Sequence, residues 1–169
     1  ARELCVFVSS YETSLDSKGR VSVPAPFRHA LEGGTRLYLW PASDGSPCLE
    51  GGGEALMAAY RQTLARMSPN SKARRVLMHR IVSKAADLKI DDTGRIKIPE
   101  THLTAAGITK DLVFVGSMDR LHIWAPDRYA SFDAEMDGML PDVQEAIEAP
   151  FQAALASGGI LGIVGGEDS

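Results

Sequence analysis

Two short stretches, Val21-Ser22-Val23 and Ile96-Lys97-Ile98, alternate apolar and polar residues with period two. That period marks a half-buried strand. Each stretch follows an Asp-x-x-Gly-Arg segment, Asp16 to Arg20 and Asp91 to Arg95. Aspartate bonds its own backbone two residues on, and glycine tolerates positive φ, so both segments predict tight turns. Apolar positions lead into each turn: Val6 and Val8, then Ala86 and Leu88. Pro24 and Pro99 end the strands. Short helices are expected over 25–31 and 100–106, stopped by Gly33-Gly34 and Gly107. Strands follow over 37–40 and 112–115, then over 47–50 and 121–124. Trailing helices are expected over 54–67 and 127–136. Ser68-Pro69-Asn70-Ser71 breaks the first of them. A helix over 72–84 restarts with Val76, Leu77 and Ile81 as its apolar stripe.

The pattern is a repeat. Leu15 to Pro24 matches Ile90 to Pro99 at an offset of 75 residues. The same offset lays Leu37-Tyr38-Leu39-Trp40 on Leu112-Val113-Phe114-Val115 and, without a gap, Leu49 on Trp124. A spacing held this long predicts a tandem of two related units. The expected organisation is a first unit over 1–67, a helical linker over 68–78, a second unit over 79–134 and a tail over 135–169. A unit of about 60 residues buries only a modest core, so the two are expected to share one, or each to complete its sheet with a partner. The small, Gly-rich tail after Phe151 is expected to be a frayed end, with a segment docked on a neighbouring subunit as the alternative.

Composition first argues against nucleic acid. The 169 residues carry a net charge of −4 and a pI near 5.6. Charge distribution changes the picture. Residues 1–99 hold 15 of the 18 Lys and Arg and net +5, whereas residues 100–169 net −9. Within 61–97 ten basic residues face three acidic ones. Basic clusters attract phosphate backbones. Cys5 and Cys48 form no disulfide framework and no metal-ligand spacing, which makes a reducing, cytoplasmic compartment the expectation. No apolar run approaches the roughly 18 residues that span a bilayer. The opening Ala1 to Val8 has too short an apolar core for a signal peptide.

Catalysis is not expected. His29, His79, His102 and His122 are scattered without ligand spacing, and Gly51-Gly52-Gly53 lacks the Lys-Ser/Thr of a phosphate-binding loop. No metal and no cofactor are expected. Arg20 and Arg95 are the chemical candidates, since a planar guanidinium bonds phosphate or guanine bidentately. Asp16 and Asp91 shape the loops beneath them. Lys18 adds a charge to the first turn where Thr93 stands in the second. The plainer alternative is that each Asp–Arg pair only pins its turn, for about 0–1 kcal/mol. Arg28, Arg74, Arg75 and Arg80 are further candidates, as phosphate contacts. Arg28 alternatively caps its helix, and the other three alternatively line a solvated helical face.

These residues carry a resemblance. Tyr11 to Leu31, with the Asp16 to Arg20 turn, resembles the first half of MraZ proteins. Arg80 to Trp124, with Ala85, the Asp91 to Arg95 turn, Ala106-Gly107-Ile108-Thr109-Lys110 and Val115-Gly116, is similar to the second half. A single copy would suggest only the wider AbrB-like group. The resemblance spans about residues 4–134. It implies an α+β fold: two tandem AbrB-like swapped-hairpin β-barrel units with peripheral helices. It implies a bacterial transcriptional regulator, cytoplasmic and nucleoid-associated. The ring-shaped homo-oligomer would bind direct repeats of double-stranded DNA upstream of its own division and cell-wall gene cluster. The hairpins that face DNA would carry Asp16, Arg20, Asp91 and Arg95. A ring scaffold that binds protein without touching DNA is the alternative. Glu50-Gly51-Gly52-Gly53 departs from the family's apolar-aromatic continuation, which is expected to weaken the last strand of the first unit.

Overall fold

The computed structural model describes residues 6–31 and 33–158. The first repeat supplies β1 (Ser10–Ser14), β2 (Arg20–Ser22), α1 (Ala25–Ala30), β3 (Arg36–Pro41), β4 (Leu49–Gly52) and α2 (Glu54–Arg66). Then come α3 (Lys72–Leu77) and a π-helical segment, Met78–Ser83. The second repeat supplies β5 (Ala86–Lys89), β6 (Arg95–Lys97), α4 (Glu100–Ala106), β7 (Asp111–Ser117), β8 (Arg120–Trp124) and α5 (Pro126–Ala156). The chain divides into two units, one through Tyr129 and one from Ala130 onward.

The first unit is α+β with antiparallel pairing. Its large sheet runs β1-β7-β8-β4-β3-β5, and β2 pairs with β6 in a separate two-stranded ribbon. The sheet's edge strands, β1 and β5, each feed one strand of that ribbon through an Asp-x-x-Gly-Arg turn. The ribbon therefore links the two edges. Neither turn joins strands that pair with each other: β1 pairs with β7, and β5 pairs with β3. Strands of the first repeat are completed by strands of the second.

The registers reveal a pseudo-two-fold relation. Tyr11 opposes Phe114, and the equivalent pair 75 residues away is Ala86 with Leu39. Val21 opposes Ile96, its own equivalent at the same offset. In the β4–β8 pair Glu50 opposes His122, Leu49 opposes Ile123 and Gly51 opposes Leu121, so the self-equivalent offset is 72. The ungapped match of Leu49 to Trp124 is therefore corrected: Leu49 corresponds to Leu121. Trp40 pairs with Glu50 across the β3–β4 connection, whereas Val115 pairs with His122 across the shorter β7–β8 turn. That first connection is three residues longer, which absorbs the difference.

One apolar core lies under both ribbon and sheet. Val21, Ile96, Leu37, Leu39, Leu112 and Phe114 are all buried there. Phe27 of α1 is fully buried and makes edge-to-face contacts with Phe7 and Tyr11, both at 5.4 Å between ring centres. Such contacts add about 0.5–1.5 kcal/mol beyond area burial. A smaller core places Trp40, Leu56 and Ile81 together. Of the stripe expected on the helix after Ser71, Ile81 is buried and Leu77 packs against this core, but Val76 is 57% exposed. Leu77 and Ile81 are four apart and share a face, while Val76 is rotated about 100° away from Leu77.

The glycine run does not weaken its strand. β4 is central in the sheet, buried along its length and paired on both sides. A Cβ on Gly51 would collide with the Tyr38 carbonyl and the Leu39 side chain. Here glycine allows a close backbone approach. Helix α5 runs to Ala156, twenty residues past its expected end at Met136, with Pro141 and Pro150 inside it. Residues 153–156, expected to fray, are helical; the rest of the expected frayed end after Gly158 lies outside the described residues.

Glu50 is buried at 3% exposure beneath this sheet. Its Oε1 accepts from Trp40 Nε1 at 2.9 Å and from Arg120 at 3.2 Å, and His122 Nε2 lies 3.3 Å from Oε2. Burial alone pushes the carboxyl's pKa up, but hydrogen bonds from His122 and Trp40 and the Arg120 charge override it and hold it at about 2. A folded-state pKa below the unfolded one stabilises the fold above the ordinary carboxylate range. That stability is lost as pH falls from about 4.5 toward 2. Glu50→Gln is expected to cost about 3 kcal/mol at neutral pH. Thermal melts from pH 7 to 3 check this: the wild type should lose more stability across the range than the variant.

Candidate functional site

The ribbon positions the candidate residues. Both turns are closed the same way. Asp16 N–H donates to the Arg20 carbonyl at 2.7 Å, and Asp91 N–H donates to that of Arg95 at 2.9 Å. Asp16 Oδ1 accepts from the backbone N–H groups of Lys18 at 2.9 Å and Arg20 at 2.8 Å. Asp91 Oδ1 does the same for Thr93 at 2.9 Å and Arg95 at 3.0 Å. Gly19 and Gly94 stand at φ of +76° and +80°, where other residues are strained. The expected bond from aspartate to the N–H two residues on is thus present in both turns.

These bonds lower the pKa of both carboxylates. The Arg20 backbone N–H is the main group holding Asp16 below its ordinary value, helped by the Arg20 side chain. The Thr93 hydroxyl, then the Arg95 N–H, hold Asp91 at about 2. Asp16 also meets both arginines. Its Oδ2 accepts from Arg20 Nε at 2.9 Å and lies 3.6 Å from a terminal nitrogen of Arg95. Arg95 Nε donates instead to Thr93 Oγ1 at 2.8 Å. The inner edge of each guanidinium is held by its turn. Among the described residues, the terminal nitrogens of Arg20 take no hydrogen bond within the chain.

The strand period does the rest. Val21 and Ile96 point into the core, so Arg20, Ser22, Arg95 and Lys97 share the opposite face. Arg20 stands directly across from Lys97, and Ser22 across from Arg95. Like charges placed directly opposite destabilise a strand pair. Asp16 and Asp91 offset Arg20 and Arg95 in part, and an external anion would balance the remaining positive charge of the face. Lys97 was not among the candidates from sequence. Its signal was available: it alternates with Ile96 and Ile98 on the exposed side of the second strand.

The remaining candidates are more dispersed. Lys18 is exposed at the tip of the first turn. Arg28 lies over Gly94 of the second turn, where a Cβ would come within 2.6 Å of its guanidinium. Its Nε donates to the Val23 carbonyl at 3.2 Å, so Arg28 ties α1 to the end of β2 beside the opposite turn. Arg74 donates to the Leu64 carbonyl at 3.2 Å near the end of α2, and Arg75 is exposed. Arg80 donates to the Ala42 carbonyl at 2.6 Å. Ala42 follows the last residue of β3, whereas the Asp91 turn leaves β5 beside the first, where Arg36 opposes Lys89. Six strand residues, about 20 Å, separate these ends. The structure brings together Asp16, Arg20, Asp91, Arg95 and Arg28, with Lys18 on the first turn. It does not bring Arg80 to them.

The family model for MraZ protein matches residues 81–149, including the second turn. A protein of Hyphomonas neptunium named transcriptional regulator MraZ is 44% identical over 148 residues, covering 86% of this chain and 90% of its own. The protein of that name from Azorhizobium caulinodans is 40% identical over 130 residues, covering 76% and 83%. That of Parvibaculum lavamentivorans is 33% identical over 155 residues, covering 90% and 96%.

Proposed function

The chain belongs to the MraZ family of transcriptional regulators, and from that premise we propose that it binds direct repeats in its own promoter through the β2–β6 ribbon. One observation carries the proposal. Arg20, Arg95 and Lys97 crowd one face of a two-stranded ribbon, with Arg20 set directly against Lys97. A two-stranded ribbon fits the major groove. Arginine forks there read guanine edges, while Lys18 and Lys97 contact phosphates and set the register. Asp16 and Asp91 do not touch DNA; Asp16 holds the Arg20 stem directly, and Asp91 holds the Arg95 stem through Thr93.

The chain is a tandem of two swapped-hairpin units, 1–67 and 79–134, joined by 68–78. Pairing of β1 with β7 and β5 with β3 supports this reading, because each repeat's leading strand is completed by the other repeat. One ribbon makes few contacts, so a single copy binds weakly. A ring of copies presents a ribbon to each successive repeat, and binding at one raises the effective concentration at the next. Arg28 supports the second turn. The protein acts at the nucleoid, in the cytoplasm, without catalysis. No described helix is long and apolar enough to cross a membrane.

Anisotropy titration of the full chain with duplexes from its own upstream region tests the proposal. With about six phosphates contacted, affinity is expected to fall roughly 10³-fold between about 50 and 200 mM salt. It is also expected to rise steeply as the duplex gains a second repeat. Equal binding to a shuffled duplex, or a flat salt response, overturns the reading in favour of a protein-binding scaffold.

A further inference from the structure

The second unit carries an apolar seam. Met136, Leu140, Val143, Ile147 and Phe151 of α5 recur at spacings of four, three, four and four, which places them along one helical face. All five are 41–54% exposed. The remaining faces are acidic. Residues 130–158 contain six Asp and Glu and no Lys, Arg or His. A seam of this kind with two interior prolines is a poor helix alone in water and gains from a partner.

Charge selects the partner. Two such helices side by side would set six acidic groups against six with no cation between them, and like charges oppose that pairing. The complementary surface lies elsewhere on the same chain. Residues 55–86 hold seven Lys and Arg and not one Asp or Glu. Along α3 and the π-helical segment, Lys72, Arg75 and His79 are exposed beside two valines, Val76 at 57% and Val82 at 44%. That face offers cations flanking apolar side chains, the inverse of the α5 seam.

We propose that the acidic, apolar-seamed part of α5 docks on the basic Lys72–Lys84 face of a second copy of this chain. The contact rests on the homo-oligomer of the proposed function for its second copy, and it uses none of the ribbon residues. It assigns Arg75 a role at a protein interface, where Val76 and Val82 supply the apolar floor. The acidic helix also keeps that basic face from binding nucleic acid indiscriminately.

Cross-linking between two differently tagged full-length chains tests the contact. One carries Val76→Cys and the other Ile147→Cys, both with Cys5→Ser. Burial pushes the Cys48 thiol up to about 12, which keeps it out of the exchange. Mixing and mild oxidation are expected to give a heterotypic disulfide that joins the two tags. Raising salt from about 50 to 500 mM should lower its yield roughly fivefold. The same yield is expected when both chains also carry Arg20→Ala, which separates this contact from DNA binding. Light scattering on the unoxidised mixture reports the oligomer itself. An oligomer without the heterotypic disulfide overturns the docking while leaving the proposed function intact. Preferred joining of two Ile147→Cys chains overturns it in favour of helix self-pairing, and a monomer overturns both docking and the ring.

Discussion

Arg20→Ala is expected to abolish specific binding to the upstream repeats, a loss of at least about 100-fold in affinity per assembled oligomer. A bidentate contact to a base is worth about 1–3 kcal/mol. In a ring the substitution recurs in every copy, so the losses compound through the same effective concentration that strengthens wild-type binding. Folding should survive. The Arg20 side chain is about a third exposed, and its bond to Asp16 is a local pair across one turn. Asp16 retains the backbone N–H groups of Lys18 and Arg20 after the side chain is gone. Anisotropy titration beside size-exclusion chromatography separates the outcomes: lost binding with an unchanged oligomer is expected, and unchanged affinity removes the ribbon from DNA recognition. Lys97→Ala makes a useful contrast. It should weaken binding to specific and shuffled duplexes alike and flatten the salt slope by about one unit, as a phosphate contact does.

The largest effect on stability is expected from Gly51→Val. Gly51 lies on a central strand between Leu39 and Leu121. Even a methyl group there would overlap the Tyr38 carbonyl and come within 2.6 Å of the Leu39 side chain. The strand cannot move aside without breaking ladders on both flanks and shifting Glu50 in its buried bonds. Overpacking of this kind costs about 1–3 kcal/mol where the core yields, and more where backbone is struck. Against a total stability of about 5–15 kcal/mol, the variant should melt at least about 10 °C lower or fail to accumulate as soluble protein. Circular dichroism melts with the Gly33→Val variant as a comparison check this. Gly33 has open space around it, so that substitution pays only for its φ of +71°.

The ribbon was legible because its signals are local. Asp, Gly and Arg at fixed spacing specify the turn, and Val21 and Ile96 alternating with polar neighbours specify which face turns outward. Lys97 obeys the same alternation but lies outside the repeated turn motif. The roles of Arg28, Arg74 and Arg80 were not legible, since their partners at Val23, Leu64 and Ala42 are backbone carbonyls brought near by tertiary folding. Glu50 shows the limit most clearly. As a sequence, an acid followed by three glycines reads as a loop. In the fold it gathers Trp40, Ser43, Tyr60, Arg120 and His122 from β3, the β3–β4 connection, α2 and β8. No periodicity within one segment encodes such a meeting. The extent of α5 was missed for the opposite reason: Ala, Glu, Met and Gln carry the helix through two prolines that composition alone would treat as stops.

The opposition of Glu50 and His122 has an evolutionary and engineering meaning. It sits where each repeat meets its own equivalent position. In a symmetric dimer of identical half-chains, that site would set glutamate against glutamate or histidine against histidine. Acid against base is open only to two halves of different sequence. The two repeats are in this sense a lock and its key: severed, each should seek the other rather than a copy of itself.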